Sequence, residues 1–204
     1  MPGLLVTVAA AVLLACGPKG TPRPAGPAAA GQPATLTLEI RAFSASDDVT
    51  PHTRLTVHRA GERSEAISHT RSGDGRVTLQ VPAGIYDVQA IHERDGRVVD
   101  IRWANRLVVM PYPDEGGHHL EVINFKNGFG ALQIRGAAGA SFETSLFLAG
   151  KRDKPAATAF AGAGYQLYVV PAGLYDMQTR ARGKTNWLTN LEVPLDRTRL
   201  TIVE

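Results

Sequence analysis

Along most of this chain, apolar and polar residues alternate in short runs that are separated by turn residues. Val77, Leu79 and Val81 alternate with Arg76, Thr78 and Gln80, and Tyr86, Val88 and Ala90 alternate with Asp87 and Gln89. A period of two predicts strands with one buried face. Apolar positions at i, i+3, i+4 and i+7 are nowhere sustained over the roughly 11 residues that a helix requires, so none is expected. Between the two runs, Pro82 presets its backbone for a tight turn and Gly84 is expected to take a positive φ. Proline cannot donate to a ladder, so the first strand should end there. The rings of Tyr86 and Tyr175 are expected in a sheet core, each hydroxyl reaching the rim for a partner.

The unit occurs twice. Val81-Pro82-Ala83-Gly84-Ile85-Tyr86-Asp87-Val88-Gln89 matches Val170-Pro171-Ala172-Gly173-Leu174-Tyr175-Asp176-Met177-Gln178 at an offset of 89 residues. A match of this length at one offset predicts a duplicated domain. Around it, Leu38-Glu39-Ile40-Arg41 corresponds to Leu132-Gln133-Ile134-Arg135, and Val57-His58-Arg59-Ala60-Gly61 to Leu146-Phe147-Leu148-Ala149-Gly150. Gly73 and Gly75 correspond to Gly162 and Gly164, Trp103 to Trp187, and Leu120-Glu121-Val122-Ile123 to Leu200-Thr201-Ile202-Val203. The offset shrinks along the chain because the first copy has longer loops, as divergence between copies of one scaffold predicts. Asp95-Gly96 and Arg182-Gly183 mark corresponding turns. The reading is all-β: two tandem Ig-like or prealbumin-like β-sandwich domains, residues 35–127 and 128–204, each of about six or seven short strands. Asn127-Gly128 between them leaves room only for a tight turn, so the two are expected to sit at a fixed angle. With one cysteine in the chain, no disulfide holds either core.

The Val-Pro-Ala-Gly-Ile/Leu-Tyr-Asp-Val/Met pattern resembles the strand-turn-strand of prealbumin-like and carboxypeptidase-regulatory-like β-sandwiches, which are common in bacterial envelope proteins. That resemblance implies a non-catalytic spacer, interaction module or carbohydrate-binding accessory, and it assigns no site.

The first 15 residues contain no charged side chain and carry the apolar run Leu4 to Leu14. It is too short to span a bilayer, which takes about 20 apolar residues, and it fits a secretion signal. Leu13-Leu14-Ala15-Cys16-Gly17 resembles the lipobox of bacterial lipoproteins, although Met1-Pro2-Gly3 lacks the usual basic start. The resemblance implies cleavage after Ala15, diacylglyceryl and palmitate-type acylation of Cys16, and, with Gly17 next, an outer-membrane destination. Membrane lipid held through Cys16 is then the first partner. Residues 16–34 follow as a linker of Gly, Pro, Ala and a few polar residues. It is too poor in apolar surface to fold and is able to hold the domains up to about 55 Å from the lipid.

Charge and chemistry change this picture little. The formal net charge is +3, split between a slightly acidic first domain and a basic second one. In the second, Lys151-Arg152-Asp153-Lys154 with Arg180, Arg182 and Lys184 suggests a basic rim toward anionic lipid or glycan. A secreted address excludes nucleic acid as a partner. All six histidines, His52, His58, His69, His92, His118 and His119, lie in the first domain near Asp47, Asp48, Asp114 and Glu115. Their spacings match no metal motif, and no metal site or cofactor is assigned. Asp87 and Asp176 recur at one repeat position, but carboxylates acting as a pair must lie within about 10 Å. These two are expected in separate domains, each bonded to its turn. No nucleophile elbow, catalytic cysteine or phosphate loop is present, so no catalytic residue is assigned. The expectation is a membrane-anchored envelope lipoprotein acting as a non-catalytic binding or structural module, with an envelope protein or glycan as partner. The alternative is a metal- or glycan-binding lipoprotein using the loops of the first domain.

Overall fold

A computed structural model describes residues 35–71, 76–111, 117–137 and 141–203. Cys16, the signal segment, the linker, Gly73, Gly75, Asp114 and Glu115 therefore lie outside the described residues. The described residues form one compact unit.

In its first half lie β1 (Thr35–Ser44), β2 (Asp47–Asp48), a 3-10 turn at Thr50–His52, β3 (Thr53–Arg59), β4 (Ala66–Arg71), β5 (Val77–Pro82), β6 (Gly84–Arg94), β7 (Arg97–Val109) and β8 (His118–Asn124). The second half supplies β9 (Phe129–Gly136), β10 (Phe142–Leu148), β11 (Phe160–Ala161), β12 (Tyr165–Pro171), β13 (Gly173–Ala181), β14 (Lys184–Val193) and β15 (Thr198–Val203). They form four sheets. In the first, β1 pairs antiparallel with β2 and β5 and parallel with β8; the second runs β4-β3-β6-β7. The third runs β11-β12-β9-β15, with β15 parallel to β9, and the fourth β10-β13-β14.

The all-β expectation holds, and both halves are built alike. Leu120 pairs with Glu39 where Leu200 pairs with Gln133. Trp103 pairs with Gln89 where Trp187 pairs with Gln178. One core lies between the first two sheets and includes Leu38, Ile40, Val57, Tyr86, Val88 and Ile123. A second fills the space between the other two, with Leu132, Ile134, Leu146, Tyr168, Tyr175 and Met177. Each sandwich is thus closed by the inward half of its alternating strands.

A third core joins the sandwiches. Phe43, Leu120 and Val122 from the first sheet meet Ala131, Tyr165, Leu167 and Val169 from the third, with Phe160 packed alongside. Strand β1 is therefore buried on both faces: Leu38, Ile40 and Ala42 turn to its own sandwich, while Glu39, Arg41 and Phe43 turn to the neighbour. The alternation expected for Val77 to Gln80 and Tyr86 to Ala90 is present, but Asp87 is also buried, at 3% exposure.

The turn residues divide. Asp95-Gly96 (φ 51° and 74°) and Arg182-Gly183 (φ 49° and 75°) both take the left-handed backbone of a two-residue hairpin, which matches strand twist. Gly84 does not take the positive φ expected of it, and neither does Gly173 at the matching position of the second copy. The reason is topological: β5 and β6 lie in different sheets, so Pro82-Ala83-Gly84 carries the chain across the sandwich instead of reversing it within one sheet. The corner is held from above, where the Tyr86 hydroxyl donates to the Pro82 carbonyl at 2.6 Å and the Tyr175 hydroxyl to Pro171 at 2.7 Å. This is the bond geometry of a tyrosine corner.

Candidate functional site

Asp87 and Asp176 sit at bulges opposite irregular pairings in β7 and β14. Asp87 accepts from the backbone N–H of Arg106 at 2.9 Å, from that of Gly61 at 3.3 Å, and from Arg63 Nε at 3.1 Å. Asp176 accepts from Asn190 N at 3.1 Å, Gly150 N at 3.3 Å and Arg152 Nε at 3.1 Å. Each arginine then lies over a tryptophan, Arg63 over Trp103 and Arg152 over Trp187, both 4.2 Å from the ring centroid. The Arg106 amide, helped by Gly61 and Arg63, holds the Asp87 carboxyl below its ordinary value against the opposing effect of burial. Asn190 N leads the same list for Asp176. These carboxylates tie a loop, a bulge and a stacked arginine together, and they lie in separate sandwiches.

At the junction between sandwiches, Glu39 is 2% exposed. The Tyr165 hydroxyl donates to its Oε1 at 2.5 Å, and His118 Nε2 lies 2.9 Å from its Oε2. Arg135 Nη2 donates to His118 Nδ1 at 2.5 Å, which leaves the ring proton on Nε2, facing Glu39. Burial pushes the Glu39 carboxyl up, yet the bonds from His118 and Tyr165, with Arg76 nearby, hold it below its ordinary 4.5. Arg41 is spent on Asp48 and on the rings of Phe43 and Phe160.

The remaining histidines disperse. His58 faces the Glu65 carbonyl and the Trp103 ring, His69 meets Thr56, and His92 stacks on Phe125. Among the described residues, no three His, Cys, Asp or Glu side chains gather as a metal would require. Nor does the basic rim assemble. Leu148 pairs with Tyr175 at one end of β13 and Phe142 with Ala181 at the other, which places Lys151–Lys154 and Arg180–Lys184 about 20 Å apart along the strand.

What the alternation did not reveal is a cleft of about 610 Å³ between β7, β8 and the loop from Asp196 to Thr198. Strands β7 and β8 lie at the same side of the first sandwich and pair with β6 and β1, not with each other. The cleft is lined by Arg102, Asn105, Arg106, His119, Glu121 and Arg197, among others. Glu121, with its side chain 14% exposed, lies 3.9 Å from His119. Burial pushes its carboxyl up to about 7, despite the opposing pull of His119 and Arg197. Arg102 is held by Asp196 at 2.8 Å and Asn127 at 2.6 Å. Arg106 and Arg197, both exposed, form no ion pair among the described residues. The one sequence signal for this site is a carboxylate inside the apolar run Leu120-Glu121-Val122-Ile123, where the second copy has Thr201.

No family model and no curated protein matches this chain. Among solved structures, it is similar to a fimbrial protein from Bacteroides ovatus at 6% identity and TM-score 0.35, covering 85% of this chain and 49% of that one. It is also similar to the TIE protein of Bacillus anthracis at 13% identity and TM-score 0.33, covering 83% of this chain. The minor pilin of Streptococcus agalactiae gives 12% identity and TM-score 0.27, covering 82% of this chain and 94% of that one. The chain spans 34% of the Bacillus protein and 26% of a Bacteroides thetaiotaomicron leucine-rich repeat protein, which it matches at 13% identity and TM-score 0.31. Scores this low assign neither site nor activity.

Proposed function

We propose that this protein is a bacterial envelope lipoprotein whose two sandwiches act as a single non-catalytic binding or structural module. Cys16 carries the lipid, residues 16–34 are the spacer, and residues 35–127 and 128–204 are tandem copies of one domain. The outer membrane is the destination, and an envelope protein or glycan is the partner.

The observation that carries the module reading is the junction. Tyr165 of one sandwich donates to buried Glu39 of the other inside a shared apolar core. Its partners satisfy the carboxylate in the closed arrangement, while opening the junction would expose the apolar side chains of the shared core to water. That favours a rigid body, suited to presenting a surface at a fixed orientation. The polar groups with the look of chemistry support the same reading, because Asp87, Asp176, Glu39 and His118 are each occupied with structural bonds.

The anchoring is tested by Cys16→Ser in the full chain. The wild type should incorporate labelled palmitate and sediment with membranes, and the variant should do neither. A variant that still sediments with membranes removes the lipoprotein assignment.

A further inference from the structure

We infer that the cleft between β7 and β8 binds a small hydroxylated molecule carrying one oxyanion, a sugar acid or a sugar phosphate. This goes beyond the envelope-module reading and does not depend on it.

Three observations lead there. The first is the cleft's size, about 610 Å³, within the roughly 300–1,000 Å³ typical of ligand pockets. The second is the charge arrangement at its rim. Arg102 is neutralised by Asp196, whereas Arg106 and Arg197 approach the cleft from different sandwiches and, among the described residues, form no ion pair, although Arg197 acts at longer range on Glu121. Planar guanidinium groups present paired N–H donors that match carboxylate and phosphate oxygens. An anion in the cleft would therefore gain charge-assisted bonds from these groups without breaking an existing ion pair among the described residues.

The third observation concerns the interior. Asn105, His119 and Glu121 line the cleft, and among them they offer both donors and acceptors. An apolar ligand would strand those groups, while the hydroxyls of a sugar would pair with them. The location is also favourable. Arg197 follows β14 and Arg106 lies in β7, so the junction brings the backbones that carry the two arginines to one cleft.

The test uses the full chain, labelled with nitrogen-15, and follows amide shifts as glucuronate, glucose 6-phosphate, glucose and inorganic phosphate are added separately. The expected result is saturable movement of amides in Arg102–Val108, His119–Asn124 and Asp196–Thr198 with glucuronate or glucose 6-phosphate. Glucose should leave them still, and inorganic phosphate should bind at least tenfold more weakly than the sugar phosphate. Arg106→Gln with Arg197→Gln should weaken the acidic sugars at least tenfold. Both side chains are exposed, and the dispersion of the variant's spectrum reports directly on its fold. The inference is overturned if neither acidic sugar moves the cleft amides, or if glucose binds as well as glucuronate. It is equally overturned if inorganic phosphate binds as well as the sugar phosphate, or if a folded double variant binds like wild type.

Discussion

Two kinds of carboxylate in this protein respond to pH with opposite signs. Asp87 and Asp176 are held below the ordinary 3.8, chiefly by the backbone N–H of Arg106 and of Asn190 respectively. Their contribution is present above the unfolded value and is lost as pH falls through the folded one. Asp87→Asn and Asp176→Asn should each lower the melting temperature at pH 7 and flatten the acid limb of the stability curve, as thermal melts between pH 2 and 7 would register. Glu121 behaves in reverse. Its folded value is raised from 4.5 to about 7, so its favourable contribution is complete below about 4.5 and is lost as pH rises through 7. His119 on the same strand, Arg102 and Arg106 on β7, and Asp196 and Arg197 from the second sandwich all face that cleft. Glu121→Gln should stabilise the fold at pH 8 by up to about 3 kcal/mol, from the 1.36 kcal/mol that accompanies each unit, and should change it little at pH 4. An equal effect at the two pH values would mean that burial does not raise this carboxyl above its ordinary value.

At the level of elements, the alternation of residues located the strands, and the Asp-Gly and Arg-Gly pairs located their hairpins, because both signals are local. What it left hidden was the second burial of β1. Leu38-Glu39-Ile40-Arg41 has the alternation of a strand with one wet face, yet its polar side faces the neighbouring sandwich. Nothing within ten residues of Glu39 announces this, since its partner Tyr165 lies 126 residues away. Gly84 departs from the expected turn for a related reason: Pro82-Ala83-Gly84 suits a reversal or a crossing equally, and only sheet membership decides between them. The Asp-Arg-Trp stack also escaped notice, because Arg63 and Trp103 stand far apart in sequence while both pack on one loop-and-bulge corner. Of the proposed cleft, Glu121 alone left a trace in the sequence, and its arginines left none.

For the whole molecule, the shared core predicts thermodynamic behaviour. Calorimetry of the full chain should show a single unfolding transition, because separating the sandwiches would expose Phe43, Val122, Leu167 and Val169 and strip Glu39 of its bond to Tyr165. Leu167→Asp, which buries an unpaired charge in that interface, should split the transition in two and lower the first by several degrees. One transition in both proteins would mean that coupling runs through the short connection at Asn127-Gly128 instead.

The parallel pairing of each sandwich's first strand with its last also sets the order in which the molecule can be made. Thr37 of β1 lies beside His118 of β8, some eighty residues later, so one edge of β1 has no neighbour until almost the whole first sandwich has left the ribosome. Closing so long a loop is slow, and sheets dominated by such distant pairings fold in milliseconds to seconds. During that interval the backbone of β1 from Thr37 to Phe43 has an unpaired edge, the kind of edge that other chains add to, and Leu36, Leu38 and Ile40 lack their full core. Refolding from denaturant should therefore be slow and sensitive to protein concentration, and a chain ending before β8 should aggregate where one ending after it remains in solution.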